Sequence, residues 1–74
     1  GQSFIPFVLK KIEELARLLQ RLDPRPELEV DGGIKLENCR AVAQAGATIL
    51  VAGSAIFGAP DPRAAVVKMR EQVA

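Results

Sequence analysis

The stretch "ELEVDGGIKLENCRAVAQAGATILVAGS", residues 27–54, decides the fold because it contains a strand pattern, a helix pattern and a second strand pattern. Leu28 and Val30 alternate with acidic residues, which predicts a strand over about 27–31 with one apolar face. The run "TILVA" at 48–52 is apolar almost throughout, as buried strands of parallel sheets usually are. Two such strands joined by a crossover helix predict a right-handed βαβ unit with parallel, adjacent strands.

The crossover helix is expected from about Leu36 to Ala45. Gly46 follows it and suits the left-handed conformation that closes many helices. The side chains expected to face the core are Cys39, Val42 and Ala43. We therefore interpret Cys39 as a core residue rather than a functional thiol.

A first helix precedes this unit, with Ser3 as N-cap or Pro6 as a first-turn residue. It ends at "DPRP", residues 23–26, because each proline disfavours the helical conformation in the residue before it. Steps of four and three residues define its apolar stripe, which consists of Val8, Ile12, Leu15, Leu19 and Leu22.

A last helix follows the second strand, with Asp61 as N-cap and Pro62 at the first helical position. Its expected inward residues are Ala65, Val66, Met69 and Val73. The predicted order is α-β-α-β-α in a single α/β domain over residues 1–74, since no internal linker interrupts the pattern.

The composition limits the possible partners and chemistry. A net charge of +1 offers no strong field for nucleic acid or a membrane, and no apolar run approaches a membrane span. The N-terminal residues lack the features of a signal peptide, so we expect a cytoplasmic protein. With one cysteine and no histidine, chemistry is left to carboxylates, lysines and the backbone.

Unusual residues stand at the carboxyl ends of both strands, where parallel sheets bind their ligands. Asp31-Gly32-Gly33 follows the first strand, and Gly53-Ser54 begins a short helical turn after the second. Glycines let a ligand approach backbone N–H groups, and the start of a helical turn favours an anion. The pattern indicates a site for a phosphate monoester; the alternative is that the glycines only make tight turns.

Four segments together resemble the C-terminal part of the ribulose-phosphate 3-epimerase family: "GQSFIP" at 1–6, "EVDGGI" at 29–34, "AGA" at 45–47 and "VAGSAIFGAPDP" at 51–62. The resemblance implies a (β/α)₈ barrel that interconverts ribulose 5-phosphate and xylulose 5-phosphate through an enediolate. It also implies a divalent metal, often zinc, and two aspartates as acid and base. This chain would supply the sixth to eighth helices and the seventh and eighth strands, which make a partial TIM barrel.

The resemblance also implies roles for individual residues. Asp31 corresponds to a metal-binding aspartate that is also one of the two acid-base groups. Gly1 resembles the last glycine of a glycine-rich loop after the sixth strand. The backbone expected to bind phosphate comprises Gly1, Gly32, Gly33, Gly53 and Ser54.

The chain departs from the family pattern in its missing metal ligands. It has no histidine and lacks the partner aspartate, and Asp31 alone cannot hold a zinc ion. We therefore expect no cofactor for the isolated chain; Asp31 would bind a metal only if an assembly supplied further ligands. Phe7 stands where the family usually has a polar residue.

Three functions follow as hypotheses. The first is a partial-barrel protein that binds phosphate or sugar phosphate and does not catalyse epimerisation by itself. The second is an oligomeric pentose-phosphate epimerase or isomerase, and the third is a structural barrel fragment with idle loops. Two open strand edges and a small core also predict a homo-oligomer.

Overall fold

The computed structural model describes residues 4–74 and shows an α/β fold with two parallel strands and four helices. Gly1 and Ser3, expected in the phosphate site and at the first N-cap, lie outside these residues. The elements are α1 (Phe4–Leu19), β1 (Glu29–Asp31), α2 (Cys39–Ala45), β2 (Ile49–Val51), α3 (Gly53–Phe57) and α4 (Pro62–Val73).

The two strands pair in parallel, which confirms the predicted arrangement. Glu29 lies opposite Ile49 and Asp31 opposite Val51, with Val30 opposite Leu50 between them. Each strand is two residues shorter than the five expected from the sequence.

At the start of the β1–β2 ladder, the side chain of Thr48 hydrogen-bonds to the backbone of Leu28. The Leu28 N–H donates to Thr48 Oγ1 at 2.7 Å, and the Thr48 N–H donates to the Leu28 carbonyl at 2.8 Å. The threonine hydroxyl therefore takes the place of a backbone acceptor and extends the hydrogen bonding between the two strands by one residue.

The faces of the sheet differ because the helices cover only one of them. Val30 and Leu50 pack against the core, whereas Glu29 and Asp31 are exposed on the other face. Ile49 points to that second face and is 39% exposed. The prediction that the second strand is buried on both faces is therefore wrong, since no layer covers its second face among residues 4–74.

The core lies between the sheet and a row of helices in which α2 packs against both α1 and α4. It confirms the prediction that Cys39 and Val42 are buried. The buried apolar residues are Ile12, Ala16, Leu28, Ile34, Cys39, Val42 and Ala47. None of the helices within residues 4–74 is long and apolar enough to cross a membrane.

The buried face of α1 is only partly the predicted stripe. Ile12 and Ala16 are buried, and Val8 and Leu19 pack beside them, whereas Leu15 and Leu22 are exposed. Leu22 is exposed because α1 ends at Leu19, before the end expected at residues 23–26. Leu15 is not covered by α2, the helix that α1 contacts within residues 4–74.

Gly46, the residue after α2, lies against Ala16 of α1 and has a φ of 128°. A Cβ at this position would lie 2.5 Å from the Cβ of Ala16. Gly46 also closes α2, since its N–H donates to the Ala43 carbonyl at 3.1 Å. The helix itself begins at Cys39, three residues later than expected.

The start of α4 confirms the sequence prediction. Asp61 accepts a hydrogen bond from the Ala64 N–H at 3.3 Å, and Pro62 occupies the first helical position. Met69 packs against the core, but Val66 and Val73 are exposed, contrary to expectation. Within residues 4–74, α4 packs against α2 and the short α3, which leave Val66 and Val73 uncovered.

Candidate functional site

The loops after β1 and β2 start side by side because the strands are parallel and in register at Asp31 and Val51. Gly33 and Ser54 line one groove of about 650 Å³. Gly32 and Gly53 belong to the same loops but are not part of the lining, and Asp31 is exposed at the end of β1. The structure thus brings Gly33 and Ser54 together.

Both glycines of the first loop have a left-handed backbone, with φ of 97° at Gly32 and 74° at Gly33. This conformation is rare for other residues, so the double glycine is what lets the chain turn sharply after β1. The turn places Gly33 and Ile34 in the lining of the groove.

Asn38 braces this loop, a role that the sequence interpretation missed. Its Oδ1 accepts from the Lys35 N–H at 2.8 Å, and its Nδ2 donates to the Gly33 carbonyl at 2.7 Å. The side chain is only 7% exposed. The available signal was an asparagine directly before a helix, a common capping residue, although here the side chain bonds to the loop instead of the helix.

The second loop becomes α3. The Ile56 N–H donates to the Ala52 carbonyl at 3.1 Å, so the N–H groups of Gly53, Ser54 and Ala55 precede the first intrahelical bond. Such groups carry a partial positive charge. Gly58 closes the turn, and a Cβ there would lie 2.6 Å from the Ser54 carbonyl oxygen.

The remaining walls of the groove mix apolar and charged side chains. Lys35 and Lys68 are its cationic residues, and Glu37 and Asp61 its acidic ones. Its apolar lining includes Ile34, Leu36 and Met69. The side chains therefore give the groove no excess of one charge, and the backbone N–H groups are its distinctive feature for an anion.

Asp31 lies outside the groove lining and belongs to no cluster of metal ligands among the described residues. Within residues 4–74, no three histidine, cysteine, aspartate or glutamate side chains lie close enough to hold a metal ion. A zinc or similar site needs three or four protein ligands, and residues 4–74 do not bring that many together.

These features define an α/β protein whose candidate ligand site lies at the carboxyl ends of parallel strands. The family model described as "Ribulose-phosphate 3 epimerase family" matches residues 1–57. The chain belongs to the ribulose-phosphate 3-epimerase family, which confirms the resemblance carried by its motifs.

Curated relatives support the same assignment. The ribulose-phosphate 3-epimerase of Escherichia coli K12 is 46% identical over 74 residues, which cover 100% of this chain and 33% of the relative. Ribulose-phosphate 3-epimerase 1 of Cupriavidus necator is 54% identical over 65 residues, covering 82% of this chain and 27% of the relative. The Synechocystis enzyme is 47% identical over 70 residues, covering 95% and 30%. The chain thus spans about a third of the length of these relatives.

Proposed function

We propose that this chain binds the phosphate group of a sugar phosphate through the backbone of its two strand-end loops. The observation that carries the proposal is the shared groove, in which Gly33 of one loop and Ser54 of the other form part of the same lining. The names of the relatives, which are epimerases of ribulose phosphate, favour a phosphorylated sugar as the ligand.

The chemistry of the loops suits a phosphate better than a neutral ligand. N–H groups at the start of α3 have no helical carbonyl to bond to, and an anion satisfies them. The positive φ angles at Gly32 and Gly33 make the turn of the first loop. Because glycine has no side chain, the backbone there can approach a ligand closely.

We propose in addition that the chain alone does not epimerise its ligand. Epimerisation requires proton removal on one face of a carbon and proton return on the other. Asp31 can serve as one acid-base group, whereas the family's partner aspartate and histidine ligands are absent from the sequence. In an epimerase of the family, this stretch would supply the phosphate site and one of the two aspartates.

Binding is tested by titrating the chain with ribulose 5-phosphate and with inorganic phosphate, while backbone amide signals are monitored by NMR. We expect the amide signals of residues 33–34 and 53–55 to shift. Gly53→Pro removes one N–H donor at a helix start that tolerates proline, so affinity should fall by about tenfold or more. Gly53→Ala is the matched control, because its Cβ would meet nothing within 4 Å and the N–H is kept. Equal affinities of the two variants would contradict the proposal.

Catalysis is tested by a coupled assay for xylulose 5-phosphate with added zinc or manganese, beside Asp31→Asn. We expect both proteins to remain at the background rate because proton transfer needs a second group. Turnover that is clear in the natural sequence and lost in Asp31→Asn would instead establish the oligomeric epimerase.

A further inference from the structure

We propose that Asn38 is a positioning residue that aims the backbone of the first loop at the bound anion. This inference rests on the proposed phosphate site and adds to it a residue that does not line the groove. Asn38 would act through Gly33 and Ile34, which do line it.

The Asn38 side chain is held in one orientation. Its carbonyl oxygen faces the Lys35 N–H and its amide nitrogen faces the Gly33 carbonyl, at 2.8 and 2.7 Å. The backbone of Asn38 is fixed as well, since its carbonyl accepts from the Val42 N–H of α2 at 3.0 Å. The loop is thereby tied to a helix whose first residue, Cys39, is buried in the core.

The bond to the Gly33 carbonyl decides where the next N–H points. Gly33 C=O and Ile34 N–H belong to one planar trans peptide, so they point in opposite directions. With the carbonyl turned toward Asn38, the Ile34 N–H is directed away from Asn38. Without this bond, the peptide after Gly33, whose φ is 74°, could rotate at low cost.

Asn38→Asp is the sharpest test because it keeps the shape of the side chain and replaces its donor with an acceptor. The ionised carboxylate would repel the Gly33 carbonyl and release the peptide. When protonated, the carboxyl can donate again and restore the bond. The ordinary pKa of an aspartic acid is ~3.9, so a large fraction of the carboxyl is protonated at pH 4.

Sulfate is the probe, because it remains a dianion across this pH range. At pH 7 we expect Asn38→Asp to bind sulfate at least about tenfold more weakly than the natural sequence. At pH 4 the ratio should return toward one, and the NMR shift of the Ile34 amide should return with it. All other residues are common to both proteins, so the ratio isolates the change at position 38.

Asn38→Ala is the second variant, in case the introduced charge prevents folding at pH 7. It removes both bonds without adding a charge, so sulfate affinity should fall at both pH values without recovery in acid. Circular dichroism of each variant establishes that the helices are intact.

The outcomes separate the two proposals. Sulfate binding by the natural sequence with an unchanged affinity in Asn38→Ala would overturn the positioning role alone. A fall in Asn38→Asp affinity that does not recover at pH 4 would also overturn it. Absence of sulfate binding in the natural sequence would overturn the phosphate site and the role of Asn38 together.

Discussion

Gly46 is the residue on which the packing of α1 against α2 depends most directly. Its φ of 128° is unfavourable for a side chain, and an added Cβ would overlap Ala16. We therefore expect Gly46→Ala to lower the free energy of unfolding by about 2 kcal/mol or more, measured by urea denaturation.

Two further variants separate the causes of this loss. Ala16→Gly in the Gly46→Ala background should recover the part due to overlap, but not the part due to the backbone angle. Gly53→Ala is the control, and its free energy of unfolding should be unchanged or slightly higher, because that position is open. A neutral Gly46→Ala would show that α1 does not dock as described.

The sequence allowed prediction of some individual residues better than others. Asp61 and Cys39 were predictable because a cap or a core position depends on neighbours a few residues away. The role of Asn38 was not, because it depends on a loop shape set by two consecutive positive φ angles at Gly32 and Gly33. The proposed phosphate-binding residues remain a prediction from the family motifs and loop geometry.

At the scale of elements, the junction of β1 and β2 depends on one side chain. Thr48 Oγ1 is the acceptor for the Leu28 N–H, and Leu28 is buried. Thr48→Val preserves the shape but leaves this N–H without its acceptor, so we expect a loss of about 1 kcal/mol in urea denaturation.

Thr48→Ser is the matched control because it keeps the hydroxyl, and it should retain most of the stability. If Thr48→Val were as stable as Thr48→Ser, the threonine hydroxyl would not contribute to strand pairing.

Periodicity predicted where the helices and strands lie but not which apolar side chains are covered. Leu15 belongs to the periodic stripe of α1, yet it is exposed because α2, the helix that α1 contacts within residues 4–74, does not cover it. Ile49 is exposed for a similar reason, since the second face of the sheet has no cover among residues 4–74. An apolar pattern shows which side chains can be buried, but it does not show whether another element is present to cover them.

At the scale of the whole molecule, the accessible surface area is larger than that of a compact monomer of the same mass. Its accessible area is 5510 Å², whereas a compact monomer of 7.9 kDa has about 4,400 Å². Part of this excess is apolar and lies on the outer side of α1, in a stripe formed by Phe7, Leu15 and Leu18. Phe7 is the most exposed of the three, at 66%.

The number of helices argues against a closed ring of four copies. Four two-stranded sheets would provide the eight strands of a TIM barrel, which has one outer helix per strand. In such a ring, α4 of one copy and α1 of the next would compete for the same place beside the strands. Because the outer stripe of α1 is apolar and exposed, we predict that copies pair through it as a dimer.

Light scattering after size exclusion should give a mass of about twice 7.9 kDa at micromolar concentration. Leu18→Glu places a charge in the stripe and should shift the protein toward the monomer. Gln20→Glu adds the same charge just beyond α1 and should leave the dimer intact. A folded monomer of the natural sequence at this concentration would contradict the proposal.

The position of α2 between α1 and α4 has a consequence for how the molecule opens. Each outer helix, α1 or α4, packs against α2. Either of them can therefore detach while the other stays packed against α2. Backbone amides of α2 should therefore exchange with solvent only in the largest openings, and those of α1 and α4 in smaller ones. The slowest-exchanging hydrogens would lie around Val42, the residue with no exposed surface.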